Sequence, residues 1–165
     1  MNLSIKPILT ALALTFGSAA GTAAAAPAAS PAIVIESASK ADFAGTLNVL
    51  KQQLESDGWN IVAEVNLGER LAKKGVIIPG GLIILELTSG KHAIPLLKND
   101  ETRYVTALMP CSVSIYGMSD GRVMIARMNA GMLANMMEPR VAEVMSKSAA
   151  QLDDSINRAL AKQTP

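Results

Sequence analysis

Leu108-Met109-Pro110-Cys111-Ser112-Val113-Ser114-Ile115-Tyr116 leads through Gly117-Met118-Ser119-Asp120-Gly121 into Arg122-Val123-Met124-Ile125-Ala126-Arg127-Met128. Apolar and polar side chains alternate on both sides of a segment that begins and ends in glycine. Two such runs, Ala107 to Tyr116 and Arg122 to Met128, predict an antiparallel hairpin. Met109, Cys111, Val113 and Ile115 share one face of the first strand, and Ser112, Ser114 and Tyr116 share the other. Pairing Tyr116 with Arg122 sets Ile115 opposite Val123, Val113 opposite Ile125 and Cys111 opposite Arg127. That register keeps the apolar side chains together.

Upstream of the hairpin, Ile33-Val34-Ile35 reads as a short β-branched strand. Ser39 starts a helix with Asp42 in capping-box position, and Phe43, Leu47, Leu50 and Leu54 line one face of it. Gly58 ends this helix. Trp59 to Val65 reads as a second strand, Leu67 to Lys74 as a short helix closed by Gly75, and Pro79-Gly80-Gly81 as a turn. Leu82 to Leu87 is an apolar third strand. Gly90 to Lys98, which contains His92, reads as a short helix against which Pro95 argues, and Asn99 to Arg103 reads as a polar loop. Downstream, Ala130 opens a helical region that Pro139 divides. Val141, Val144, Met145, Ser148, Leu152, Ile156 and Leu160 continue it as an amphipathic stripe. Glu143 with Lys147 and Asp154 with Arg158 are spaced as i,i+4 pairs. The order predicts an α+β fold: an antiparallel or mixed sheet with helices packed on one face in two layers, and a long C-terminal helix.

The front of the chain reads differently. Lys6 is followed by the apolar run Pro7 to Phe16 and by small residues ending Ala23-Ala24-Ala25-Ala26. A positive start, a short apolar centre and an Ala-x-Ala end predict a secretory signal peptide over residues 1–25. An uncleaved anchor is the rival reading, since no charge occurs from Pro7 to Ile35. Only the first third of that stretch is strongly apolar, whereas a spanning helix needs about 20 predominantly apolar residues. Residues 26–32 read as a flexible Pro/Ala spacer. The expected location is therefore periplasmic or secreted, with no membrane span in the mature form.

Without Lys6, 14 basic side chains face 14 acidic ones. No basic patch points to nucleic acid. Phe43, Trp59, Tyr104 and Tyr116 are too few to build stacking platforms. Cys111 is the only cysteine, which excludes an intramolecular disulfide.

The run from Leu108 to Tyr116, with Asp120-Gly121-Arg122-Val123 and Arg127-Met128-Asn129 after it, resembles the domain-of-unknown-function 302 family (DUF302). Gly58-Trp59 and Glu64-Val65-Asn66-Leu67 are similar to that family's first half. The resemblance covers residues 33–137 and leaves 138–165 as a separate amphipathic helix. It implies a small α+β sandwich, often a homodimer, with no established activity. Ser112 stands where the family commonly has Arg, so no role of that Arg carries over.

Two readings of Cys111 remain open on sequence grounds. One is a small, inert core residue. The other is a ligand or redox position, with Arg127 across the hairpin favouring the thiolate and Pro110 beside it. Methionine suggests a third possibility. Apart from Met1, every methionine lies between residues 109 and 145. Thiolate and thioether ligands select soft ions such as Cu(I), and Cys111, Met109, Met128 and His92 make a soft set. The competing account is that these methionines fill core gaps.

No Ser/His/acid triad, paired carboxylates, phosphate loop or zinc spacing is readable. The expectation is thus a small exported binding protein without evident catalytic machinery. It is thiol/redox- or small-ligand-responsive through Cys111, binds Cu(I), or serves as a dimerising module that takes a protein partner.

Overall fold

In the computed structural model, residues 33–163 are described. The signal peptide and spacer expected over 1–32 lie outside them. The elements run β1 (Val34–Ala38), α1 (Phe43–Ser56), β2 (Asn60–Asn66), α2 (Leu67–Ala72), β3 (Leu82–Thr88) and α3 (Gly90–Leu97). A 3-10 helix (Asp100–Leu108), β4 (Cys111–Gly117), β5 (Val123–Met128), α4 (Ala130–Ala134) and α5 (Pro139–Ala161) follow. The strands form one sheet in the order β1-β5-β4-β3-β2, and every neighbouring pair is antiparallel. The expected α+β class with a long final helix is what the chain adopts.

Period-two alternation sets the core face. Ile83, Leu85 and Leu87 of β3, Val113 and Ile115 of β4, and Val123 and Ile125 of β5 are buried against Leu50 and Leu54 of α1 and Leu152 and Ile156 of α5. Each fully buried Leu or Ile contributes about 1.5–3 kcal/mol relative to exposure. A smaller cluster of Leu96, Val105 and Val141, with Met109, Val144 and Met145 packed against it, joins α3 and the 3-10 helix to α5. The final helix is therefore part of the domain's core. Its start is fixed by Pro139 in the first turn and by the Glu138 carboxylate, which accepts from the amides of Arg140 and Val141.

Several local expectations are corrected. The cap of α1 is Asp42, which accepts from the Gly45 amide at 2.7 Å. Ser39 instead bonds Thr46 and Gln163, tying the start of α1 to the end of α5. Residues 100–108, expected as a polar loop running into a strand, form the 3-10 helix, and β4 begins only at Cys111. Thr102 and Val105, three residues apart, are its buried side chains. Arg158 does not pair with Asp154 four residues before it; it reaches Asp57 at the end of α1, 2.8 Å away. The Glu143–Lys147 pair is present at 2.6 Å.

The hairpin register differs by two residues from the expected one. Gly117 pairs with Val123, Ile115 with Ile125 and Val113 with Arg127. The tight joint is Gly117: a Cβ there would lie 2.2 Å from the Pro79 carbonyl oxygen, so the 79–81 turn packs directly on the β4 backbone. Among the described residues, no helix is long and apolar enough to cross a membrane.

Candidate functional site

The two-residue shift removes the Cys111–Arg127 pairing. Arg127 lies opposite Val113 on the buried face. There its Nε donates to Asp153 Oδ1 at 2.5 Å, and a terminal nitrogen donates to Ser37 Oγ at 3.2 Å. Its charge is committed to α5 and β1. Cys111 is paired with Leu87 of β3 instead. Burial raises its thiol pKa above the ordinary value of 9.0, and the nearby Glu86 carboxylate raises it further. Both effects favour the protonated thiol, the opposite of what an activated nucleophile needs. Pro110 is exposed and follows a cis peptide bond from Met109.

The soft donors do come together. A cavity of about 60 Å³ at the Cys111 end of β4 is lined by Cys111, Met109, Met128, Met145 and His92, with Leu96, Val105 and Val144 among the apolar residues of its wall. Each donor arrives by a different element. Cys111 opens β4 and Met109 follows the 3-10 helix. Met128 ends β5, Met145 lies on the apolar stripe of α5, and His92 sits in the first turn of α3. Met145 is absent from the soft set chosen on sequence, although its place on the stripe with Val141, Val144 and Ser148 marks it as inward-facing.

Hydrogen bonding fixes the orientation of His92. Gln151 Nε2 donates to the Asp57 carbonyl at 2.8 Å, so Gln151 Oε1 is the atom that meets His92 Nε2, also at 2.8 Å. An amide oxygen cannot donate, so the proton must be on His92 Nε2. In the neutral ring the lone pair is then on Nδ1. The ring also sits 6.1 Å from the Trp59 ring, at 33°.

His92 and Val144 form a wall between this cavity and a larger open groove of about 910 Å³ between α3 and α5. Among the described residues, no three His, Cys, Asp or Glu side chains are grouped to hold a metal ion. The residues that line the smaller cavity together carry sulfur and imidazole groups.

A family model described as domain of unknown function DUF302 matches residues 35–162, and so takes in α5 as well as the segment read from sequence. The crystal structure of an uncharacterized conserved DUF302 protein from Bacillus stearothermophilus superposes with a TM-score of 0.70. It is 22% identical, and the match covers 78% of this chain and 99% of that one. No curated protein matches the sequence.

Proposed function

This chain belongs to the DUF302 family, a domain of unknown function, and from that footing we propose that it is an exported protein that binds a soft metal ion, Cu(I), in the cavity beside Cys111. The observation that carries the reading is the convergence of the only thiol, three thioethers and the only imidazole of the chain on about 60 Å³. That volume suits an ion. A single water needs roughly 10–15 Å³ of such space, whereas organic ligands occupy pockets of roughly 300–1,000 Å³.

Thiolate and thioether donors favour Cu(I) over hard cations. Cys111 would bind as thiolate, releasing one proton per ion, and the neutral donors that complete the shell would be drawn from Met109, Met128, Met145 and His92 Nδ1. The apolar wall would keep water from the ion. The committed charge of Arg127 and the raised thiol pKa weigh against the alternative of a reactive redox thiol.

The X-ray absorption spectrum of the Cu(I)-loaded protein tests this. Sulfur scattering around copper that diminishes in Met109→Leu and Met145→Leu supports the reading. An all-nitrogen or all-oxygen shell, unchanged in these variants, refutes it. Export is tested by intact mass of the protein from an expressing cell, which should begin at Ala26.

A second reading, homodimerisation, draws on the outer sheet face that carries Ile84, Tyr116 and Met124, opposite the face covered by α1 and α5. Analytical ultracentrifugation distinguishes a dimer from a monomer.

A further inference from the structure

The groove between α3 and α5 carries chemistry of its own. β3 alternation places Ser89 on the same face as Leu85 and Leu87, toward the helices. Ser89 is 5% exposed and occupies the N-cap position of α3, yet its hydroxyl makes no cap bond and no other hydrogen bond among the described residues. A serine at this position ordinarily accepts from an amide of the first turn. Here the first helical bonds run from His92 and Ala93 to the Ser89 carbonyl, and among the described residues the amides of Gly90 and Lys91 have no acceptor. The hydroxyl of a largely buried serine that lines the groove, two first-turn amides and the Lys91 ammonium therefore gather at the positive end of an eight-residue helix.

The charges around the groove have the matching sign. Glu143 is paired with Lys147 and Asp57 with Arg158. Arg140 donates to the Pro95 carbonyl, which carries no full charge. Lys91 and Arg140 against Asp154 leave one positive charge in excess on the lining.

We propose that this groove binds a small organic anion whose carboxylate or phosphate caps α3, accepting from Ser89 Oγ, the Gly90 and Lys91 amides and Lys91 Nζ. Unpaired first-turn amides and the helix dipole make such an end an anion site. The volume of about 910 Å³ leaves room for the rest of a small molecule beyond the anionic group. The site lies across the wall formed by His92 and Val144 from the cavity beside Cys111.

Amide chemical shifts of the purified protein, titrated with succinate and with inorganic phosphate, test this. The Gly90 and Lys91 amides should shift and saturate with at least one of the two, and the tighter one names the anionic group. Gly90→Pro deletes one donor in a backbone that accepts proline, because Ser89 has φ −134° and ψ 116°, the extended conformation preferred before proline. Ser89→Ala deletes another. Each should weaken binding about tenfold, as expected for one hydrogen bond to a charged group, with secondary structure unchanged. No saturating shift at residues 90–91 with either anion overturns the proposal. So does affinity unchanged in Ser89→Ala, whether or not Gly90→Pro folds.

Discussion

Removing Asp153 should destabilise the protein more than removing Arg127, although the two are partners. The Arg127 side chain is 6% exposed and that of Asp153 is 39% exposed. In Asp153→Ala a guanidinium stays between sheet and helices, having lost its carboxylate and keeping the Ser37 hydroxyl as a neutral acceptor. A lost hydrogen bond to a charged group costs about 1.5–3 kcal/mol, and an orphaned buried charge about 3–5 kcal/mol. Asp153 is partly in water, so its contribution is screened, and the expected loss is about 2–3 kcal/mol. In Arg127→Met the freed carboxylate turns to solvent and the Met side chain replaces the arginine stem. The expected loss is about 1 kcal/mol or less. Urea unfolding with linear extrapolation measures both, provided the slopes agree. Arg127→Met as damaging as Asp153→Ala, or more so, would refute the reasoning. The same variant separates the two roles considered for Arg127: if the side chain is structural, the rate of Cys111 alkylation in folded Arg127→Met stays at the wild-type value.

Three further outcomes follow from the geometry. Gly117→Ala should cost at least about 3 kcal/mol by thermal or urea unfolding, because its Cβ would meet backbone at 2.2 Å and 2.7 Å and neither contact can yield by a rotamer change. Partial burial and the Glu36 carboxylate push the Tyr116 pKa from 10.0 to about 12. Stability from this pair is complete below the unfolded value and is lost as pH rises from 10.0 through about 12. Ultraviolet titration should show Tyr116 ionising late and moving toward the ordinary value in Glu36→Gln. For Asp57, burial pushes the pKa up, but hydrogen bonds from Arg158 and Gln53 outweigh it, and the net value falls below 3.8. Its stabilisation is present above 3.8 and is lost as pH falls through the lowered native value. Acid unfolding of Arg158→Ala should therefore begin at higher pH than that of wild type.

The sheet was legible where alternation is strict: Ile83, Leu85 and Leu87, and Val113 and Ile115, face the core as their spacing requires. The hairpin register was not legible, for a physical reason. A slip of two residues leaves every side chain on its own face, so the hydrophobic pattern cannot distinguish Val113 opposite Ile125 from Val113 opposite Arg127. The turn decides it: the Met118 amide bonds the Arg122 carbonyl at 2.8 Å, which extends the ladder one pair beyond Gly117 and Val123. Sequence spacing also favours local partners, and so it pairs Arg158 with Asp154 and misses Asp57, a hundred residues away in the chain but adjacent across α1 and α5. The soft donors were legible as residue types. That Met109, Cys111, Met128 and His92 line one cavity depends on the packing of four elements, and Met145 enters only through α5. The anion site at α3 left no signal that the sequence reading could use, because a serine before a helix normally satisfies its own cap.

Cu(I) affinity measured against pH is the most direct test of the central claim, by anaerobic competition with a chromophoric Cu(I) chelator. Because burial and the Glu86 carboxylate favour the protonated form of the Cys111 thiol, binding as thiolate should release one proton. The account predicts one Cu(I) per chain and an affinity that rises about tenfold per pH unit across the neutral range. In Cys111→Ser that slope should disappear along with most of the affinity. Binding that is independent of pH, unchanged in Cys111→Ser or too weak to compete at any pH would contradict it.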